Sequence, residues 1–205
     1  MKKEEKIQAR REEILDAALE IFAKKGYHST GIADIATQLD IGHGTCYRYF
    51  KNKLDILHAL LDEVQNGLSE VISRQSPDKS NSLEEYRSQI EEIGAGLFEL
   101  FGKDARVGRV FFFETQGIDA SISSKIKKTH DLSAKVTELY LINGVKKGFL
   151  RKNLDTDVAS KAINSMMFEG IRQSISHKSN PEYAARWMKA VPDLMLDGMR
   201  ANPEG

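Results

Sequence analysis

The chain has 205 residues, of which 40% are hydrophobic and 29% charged, and this balance is typical of a soluble globular protein with room for two modest domains. No stretch approaches the roughly 18 apolar residues that cross a bilayer, and the chain opens on an amphipathic pattern, so we expect a cytoplasmic protein without membrane contact. Because Cys46 is the single cysteine and no Cys/His spacing matches a zinc site, we expect no disulfide, metal or cofactor.

Four helices are predicted in the first third of the chain. Ile14, Ala18 and Phe22 recur at helical spacing, and Gly26 follows two lysines where a helix would stop. A second apolar stripe ends at Asp40, a residue type that tolerates the left-handed conformation. The spacing predicts helices at about 4–25, 32–39, 42–50 and 52–74.

The remaining chain is also predicted to be helical. The polar stretch 75–82, QSPDKSNS, indicates a linker, and no alternating run of β-branched residues indicates a sheet. Gly94 and Gly96 lie within a predicted helix, where close helix packing explains them better than room for a ligand. The predicted helices lie at about 83–102, 105–116, 121–147, 155–177 and 182–200.

The third predicted helix has two faces of different chemistry. When the residues are projected at about 100° per residue, one arc of the helix carries polar side chains and a glycine, and the opposite arc is largely apolar. A helix that reads a DNA major groove needs such an arrangement, because its outer face contacts base edges while its inner face packs on the domain. The outer arc is His43, Gly44, Tyr47 and Arg48, and the inner arc is Thr45, Cys46, Tyr49 and Phe50.

Two segments resemble the DNA-binding signature of the TetR family of transcriptional regulators. They are TGIADIA at 30–36 and IGHGTCYRYFKNKLDIL at 41–57, and with the first helix the resemblance covers roughly the first 65 residues. It implies an all-α protein, with a three-helix helix-turn-helix domain at 8–68, its motif at about 31–50, and a helical ligand-binding and dimerisation domain at 69–205. The expected function is that of a homodimeric repressor, released from a double-stranded, pseudo-palindromic operator by a small molecule.

The resemblance also assigns roles to residues of the motif. By position, the base-edge readers fall on His43, Gly44 and Arg48. Three positions depart from the family pattern, since Gly31, Ala33 and Gly42 stand where many members carry larger or polar side chains. The phosphate contacts fall on Thr30, Thr45, Tyr47, Tyr49 and Lys53.

The family plan places an effector cavity among the fourth to seventh helices and the dimer contact on the last two. Aromatic residues mixed with a few polar groups favour an apolar or amphipathic effector. The predicted ligand-binding residues are Leu61, Phe98, Phe101, Phe111, Phe113, Glu114, His130, Tyr140 and Asn143. The predicted dimer interface is Ile163, Met166, Met167, Gly170, Trp187, Val191, Leu194 and Met195.

Two other classes of function remain to be compared. An enzyme is disfavoured, because the sequence has no G-x-S-x-G or H-E-x-x-H motif and no cysteine pair. A DNA-bound adaptor or architectural protein of the same fold would carry the same motif. Dispersed genomic binding sites would favour that adaptor, whereas a few promoter sites would favour a regulator, and the sequence does not separate a repressor from an activator.

Overall fold

The structure is a computed structural model that describes residues 2–177 and 180–200, so the end of the second predicted domain, 201–205, lies outside it. These residues form helices without a strand, which confirms the all-α prediction, and one isolated antiparallel bridge joins Leu150 to Arg200. No helix in the described ranges is long and apolar enough to cross a membrane. The helices are α1 (Lys2–Lys25), α2 (Ile32–Gln38), α3 (His43–Tyr47), α4 (Lys53–Ser73), α5 (Leu83–Gly102), α6 (Ala105–Arg109), α7 (Ala120–Lys146), α8 (Thr156–Ser176) and α9 (Pro181–Met199).

Short polar side chains begin several of these helices. The Ser82 hydroxyl accepts from the Glu85 N–H at 3.1 Å before α5, and the Asp155 carboxylate accepts from the Val158 N–H at 3.1 Å before α8. Each of these contacts satisfies a backbone donor that lacks a partner within its helix. After α2, Asp40 takes a left-handed φ of 52°, as its residue type suggests.

Two predicted helices are shorter in the structure. The predicted third helix, 42–50, is helical only from His43 to Tyr47. After Tyr47 the turn tightens, because the Arg48 and Tyr49 N–H groups donate to carbonyls three residues back, at Thr45 and Cys46. The predicted helix 105–116 is α-helical only to Arg109 and continues as a π-helical turn, Val110–Glu114. A π turn adds a residue to the helical repeat and redirects the side chains that follow it.

The chain forms two compact units. The first contains residues up to Asn66 together with Arg106–Ser123, and the second contains Gly67–Ala105 and the residues from Ser124 onward. The segment Arg106–Ser123, placed by the predicted boundaries in the second domain, therefore packs with the first unit. Within the second unit, α5, α8 and α9 pack on one another.

Helices of the second unit approach closely at glycines. A Cβ atom at Gly96 of α5 would lie 2.8 Å from the Val71 Cγ1 atom, which supports the predicted packing role of this glycine. A Cβ atom at Gly170 of α8 would lie 2.8 Å from the Trp187 ring of α9. The Trp187 indole thus packs directly against the α8 backbone of the same chain.

Gly170→Ala should lower the free energy of unfolding by about 1–2 kcal/mol, because the added methyl group forces the half-buried indole away from the α8 backbone on which it packs. Urea unfolding monitored by helical circular dichroism measures this change. Gly198→Ala in α9 is the control, since no described atom lies within 4 Å of its added Cβ, and it should stabilise the chain by up to about 1 kcal/mol. Equal effects of the two substitutions would contradict the packing role of Gly170.

Candidate nucleic-acid interface and internal cavity

Helix α3 presents the predicted polar arc to solvent. His43, Gly44 and Arg48 are exposed, and the Tyr47 side chain is 58% exposed. On the opposite arc, Cys46 and Phe50 are buried, and burial raises the pKa of the Cys46 thiol, which keeps it protonated and apolar. Thr45 and Tyr49 are half-buried at the border between the two arcs.

Backbone contacts set the direction of α3. The Ile41 N–H donates to the Ala36 carbonyl at 3.0 Å, and the Thr45 N–H donates to the Gly42 carbonyl at 2.8 Å. At the start of α2, the Asp34 carboxylate accepts from the Gly31 N–H at 2.8 Å, and this bond lowers the pKa of Asp34. Gly31 and Gly42 lack a capping side chain, so main-chain bonds and the Asp34 carboxylate define these helix starts.

Two predicted phosphate ligands are engaged within the domain. Thr30 is buried and its hydroxyl donates to the Gly26 carbonyl at 2.8 Å, so in this structure it fixes the turn after α1. The Lys53 ammonium donates to the Tyr27 carbonyl at 2.6 Å and lies 4.1 Å from the centre of the Tyr27 ring. Burial lowers the pKa of Lys53. Phosphate contacts by Thr30 and Lys53 remain predictions, and they would be made by groups that also hold the fold.

The π-helical turn supplies the second contact to Tyr27. Glu114 was predicted to fix an effector, but its carboxylate accepts from the Tyr27 N–H at 2.9 Å in the first unit. The preceding Gly26 has a φ of +86°, and a Cβ atom there would lie 3.2 Å from the Glu114 Oε2 atom. The Tyr27 peptide groups are therefore held from both sides, by Glu114 and by Lys53.

An internal cavity of about 80 Å³ lies in the second unit, among residues of α4, α5, α7, α8 and α9. Every described residue that lines it is uncharged. The polar groups of the wall are the Tyr86 and Tyr140 phenols, the Ser133 and Thr137 hydroxyls, and the Asn164 amide. Aliphatic side chains, Phe168, and the methionines Met167, Met188 and Met195 supply most of the remaining surface.

Most of the predicted ligand residues lie elsewhere. Leu61, Phe111, Phe113 and Glu114 belong to the first unit. Phe98 and Phe101 are buried in the second unit outside the cavity wall, His130 packs 4.5 Å from the Phe168 ring, and the Asn143 amide donates to the Pro77 carbonyl at 2.5 Å. Among the described residues, only Tyr140 of the predicted set lines the cavity.

The residues of the predicted dimer interface, which stays a prediction, lie partly inside the second unit. Ile163, Met167, Val191 and Met195 are buried and line the cavity, so their side chains face the interior of their own unit. Gly170 is covered by Trp187 of the same chain. Of the predicted set, Leu194 is 65% exposed and Met166 and Trp187 are half-buried, which leaves these three side chains on the outer face of α8 and α9.

Comparison with known proteins agrees with the geometry of the first unit. Residues 14–60 match the sequence model of the family "Bacterial regulatory proteins, tetR family", and this range contains α2, α3 and the start of α4. The chain is 26% identical to the fatty acid metabolism regulator protein of Bacillus subtilis over 187 residues, which are 91% of this chain and 94% of that protein. Residues 14–60 therefore form a tetR-family DNA-binding domain.

Two further relatives extend the likeness over the second unit. The transcriptional repressor KstR2 of Rhodococcus jostii is 25% identical over 167 residues, which are 80% of this chain and 78% of that protein. The crystal structure of the regulator FadR from Bacillus subtilis in complex with stearoyl-CoA superposes with a TM-score of 0.75 at 24% identity, covering 91% of this chain and 97% of that one. The tetR-family assignment makes this protein a DNA-binding transcriptional regulator.

Glu114→Ala should lower the free energy of unfolding by about 1–3 kcal/mol, because it leaves the buried Tyr27 N–H without its acceptor. Glu114→Gln is the matched control, since the amide oxygen still accepts from that N–H, and it should cost less than half as much. Both values follow from urea unfolding of the full chain. If alanine and glutamine are equivalent, the contact does not hold the turn.

Proposed function

We propose that this tetR-family regulator is a homodimeric repressor that binds a pseudo-palindromic operator and is released by a largely apolar ligand. The observation that carries the DNA-binding part is the outer face of α3, where exposed His43, Gly44, Tyr47 and Arg48 stand above buried Cys46 and Phe50. A ring nitrogen and a guanidinium can read base edges, and the glycine allows close approach of the backbone. The Tyr47 phenol lies beside them for a phosphate or a thymine methyl group.

His43→Ala should relax discrimination at one or two base pairs of each half-site and cost about 1–3 kcal/mol on the preferred sequence. The operator is first obtained by selecting bound fragments from a random DNA pool, and affinities are then measured on this site and on single-base variants. His177→Ala, an exposed histidine in the second unit, is the control and should leave both affinity and discrimination unchanged. Equal weakening by His43→Ala on selected and random DNA would exclude a reading role.

The ligand class follows from the cavity wall. A charged group placed there would lose its hydration without gaining an opposite charge, so the cavity suits an uncharged, apolar part of a molecule. The stearoyl-CoA bound to the Bacillus subtilis regulator supports such a ligand, because its acyl chain is uncharged and apolar. A cavity of about 80 Å³ is small beside the 150 Å³ or so that accommodates benzene, so a longer ligand must move the lining helices apart.

Release from DNA would follow from that movement. Helix α4 begins in the first unit at Lys53, and its Ile72 lines the cavity in the second. A ligand that binds better when α4 is displaced would therefore also shift the position of the first unit, which contains α3. A 100-fold preference for the displaced state is worth about 2.7 kcal/mol per site, and operator DNA must then weaken the ligand by the same factor.

The dimer would form through the outer faces of α8 and α9. Leu194, Trp187 and Met166 are the apolar side chains that remain accessible there, and their exposure in water is relieved by a second copy. Twofold pairing would then present two copies of α3 to successive major grooves of one operator.

Leu194→Glu should therefore convert the dimer to a monomer, because two copies of the charge would meet near the twofold axis. Sedimentation velocity at micromolar concentration measures the assembly state. Leu139→Glu on α7 is the matched control, since Leu139 is also more than half exposed but lies on another helix, and it should remain dimeric. A Leu194→Glu protein that stays dimeric would place the interface elsewhere.

A further inference from the structure

One polar group in the cavity wall lacks a partner. Tyr140 is 5% exposed and lines the cavity, and its hydroxyl makes no hydrogen bond within the described residues. Buried phenols nearly always find a hydrogen-bond partner, because the O–H group loses its hydration on burial. The wall of this cavity therefore contains a donor that the chain itself leaves without an acceptor.

Three of the neighbouring polar groups, on Asn164, Thr137 and Tyr86, already make hydrogen bonds. The Asn164 amide donates to the Thr137 hydroxyl at 2.8 Å and to the Ser160 carbonyl at 2.9 Å. The Tyr86 hydroxyl donates to the backbone carbonyl of Tyr140 at 3.1 Å. These bonds join α5, α7 and α8 around Tyr140, whereas the Tyr140 hydroxyl is buried and makes no hydrogen bond within the described residues.

The hydroxyl keeps its proton at neutral pH. Burial raises the pKa of Tyr140 above its ordinary value, so the group acts as an uncharged donor across the whole range in which the protein would work. The ring belongs to α7, and the Tyr86 contact fixes the backbone at that position. A donor on a rigid helix can discriminate between ligands that differ in a single oxygen atom.

We propose that the Tyr140 hydroxyl donates a hydrogen bond to a neutral oxygen acceptor on the ligand, so that the cavity selects an elongated apolar molecule that carries a carbonyl, ester or ether oxygen. This inference rests on the proposed ligand-binding role of the cavity. A plain hydrocarbon would leave the hydroxyl unpartnered. A carboxylate would bury a charge among uncharged side chains, and one phenol does not offset the loss of its hydration.

The test uses matched probes on the full-length protein. Nonane, nonan-2-one and nonanoate share a nine-carbon skeleton. Nonane has no oxygen, nonan-2-one has a neutral oxygen acceptor, and nonanoate has a charged one. Each probe is delivered from a cyclodextrin carrier at pH 8, and its affinity is measured by its displacement of an apolar fluorescent naphthylamine from the cavity. The ratio of nonan-2-one affinity to nonane affinity is compared between the wild type and Tyr140→Phe, so that differences in carrier partitioning cancel.

Tyr140→Phe should reduce the ketone-to-hydrocarbon ratio about fivefold, which corresponds to one neutral hydrogen bond, and should leave nonane affinity unchanged or higher. In the wild type, nonanoate should bind more weakly than nonan-2-one. If the ketone and the hydrocarbon both bind but their ratio is unchanged in Tyr140→Phe, or if nonanoate binds more tightly than the ketone, the inference is wrong. If none of the three probes binds the wild type, the proposed ligand-binding function itself fails.

Thermal unfolding without any probe gives an independent readout. Tyr140→Phe removes a hydroxyl that has no partner in the chain, so its Tm should equal or exceed that of the wild type. Tyr86→Phe is the matched control, because the Tyr86 hydroxyl donates to the Tyr140 carbonyl and its loss should lower the Tm. A lower Tm for Tyr140→Phe would show that its hydroxyl is engaged within the chain and would overturn the proposal.

Discussion

The peptide groups of Tyr27 are the constraint on which the DNA-binding unit depends. The Tyr27 N–H donates to Glu114 at 2.9 Å and its carbonyl accepts from the Lys53 ammonium at 2.6 Å, so one residue joins the end of α1, the start of α4 and the π-helical turn. The turn that leads into α2 begins here, and α2 in turn carries α3. The two charged side chains fix the turn before α2, and the backbone bonds between α2 and α3 then set the direction in which α3 presents its polar arc.

Lys53 contacts Tyr27 within the domain and is also predicted to bind a DNA phosphate. Within the domain, its ammonium lies over the Tyr27 ring, where burial lowers its pKa, while the proposed phosphate contact calls for a fully charged group at the surface. The two are compatible, because an ammonium has three N–H donors and one of them reaches Tyr27. An approaching phosphate would also favour the charged form, so DNA binding would reinforce the same contact that orients the turn. If Lys53 makes the predicted phosphate contact, its loss would weaken DNA binding and the turn together, whereas the proposed base readers His43 and Arg48 are exposed on α3.

The sequence predicted what periodicity and local chemistry determine. The arcs of α3 follow from the repeat of a helix, and the left-handed Asp40 follows from its residue type, so both agree with the structure. The π-helical turn could not be predicted, because the run Phe111–Phe113 is apolar on every side and fits an α-helix equally well. The sequence predicted a cavity among the fourth to seventh helices but not that α8 lines it, because spacing alone does not say which apolar face of α8 meets the same chain and which meets a partner. The signal that separates them is Asn164, a polar residue within the inward stripe, whose amide needs partners from α7.

The two faces of α8 would connect the proposed ligand and the proposed dimer more directly than α4 would. Met167 lines the cavity, while the adjacent Met166 is half-buried on the face where the proposed partner packs. A ligand that widens the cavity must push on Met167, and neighbouring positions on one helix move together because the backbone hydrogen bonds are retained. Methionine side chains absorb small displacements by changing rotamers, so a small ligand would be accommodated locally. A ligand too long for the methionines to accommodate would shift α8 itself and, in the proposed dimer, change the spacing of the two subunits. Under this proposal the length of the ligand, together with its polar atom, would determine release.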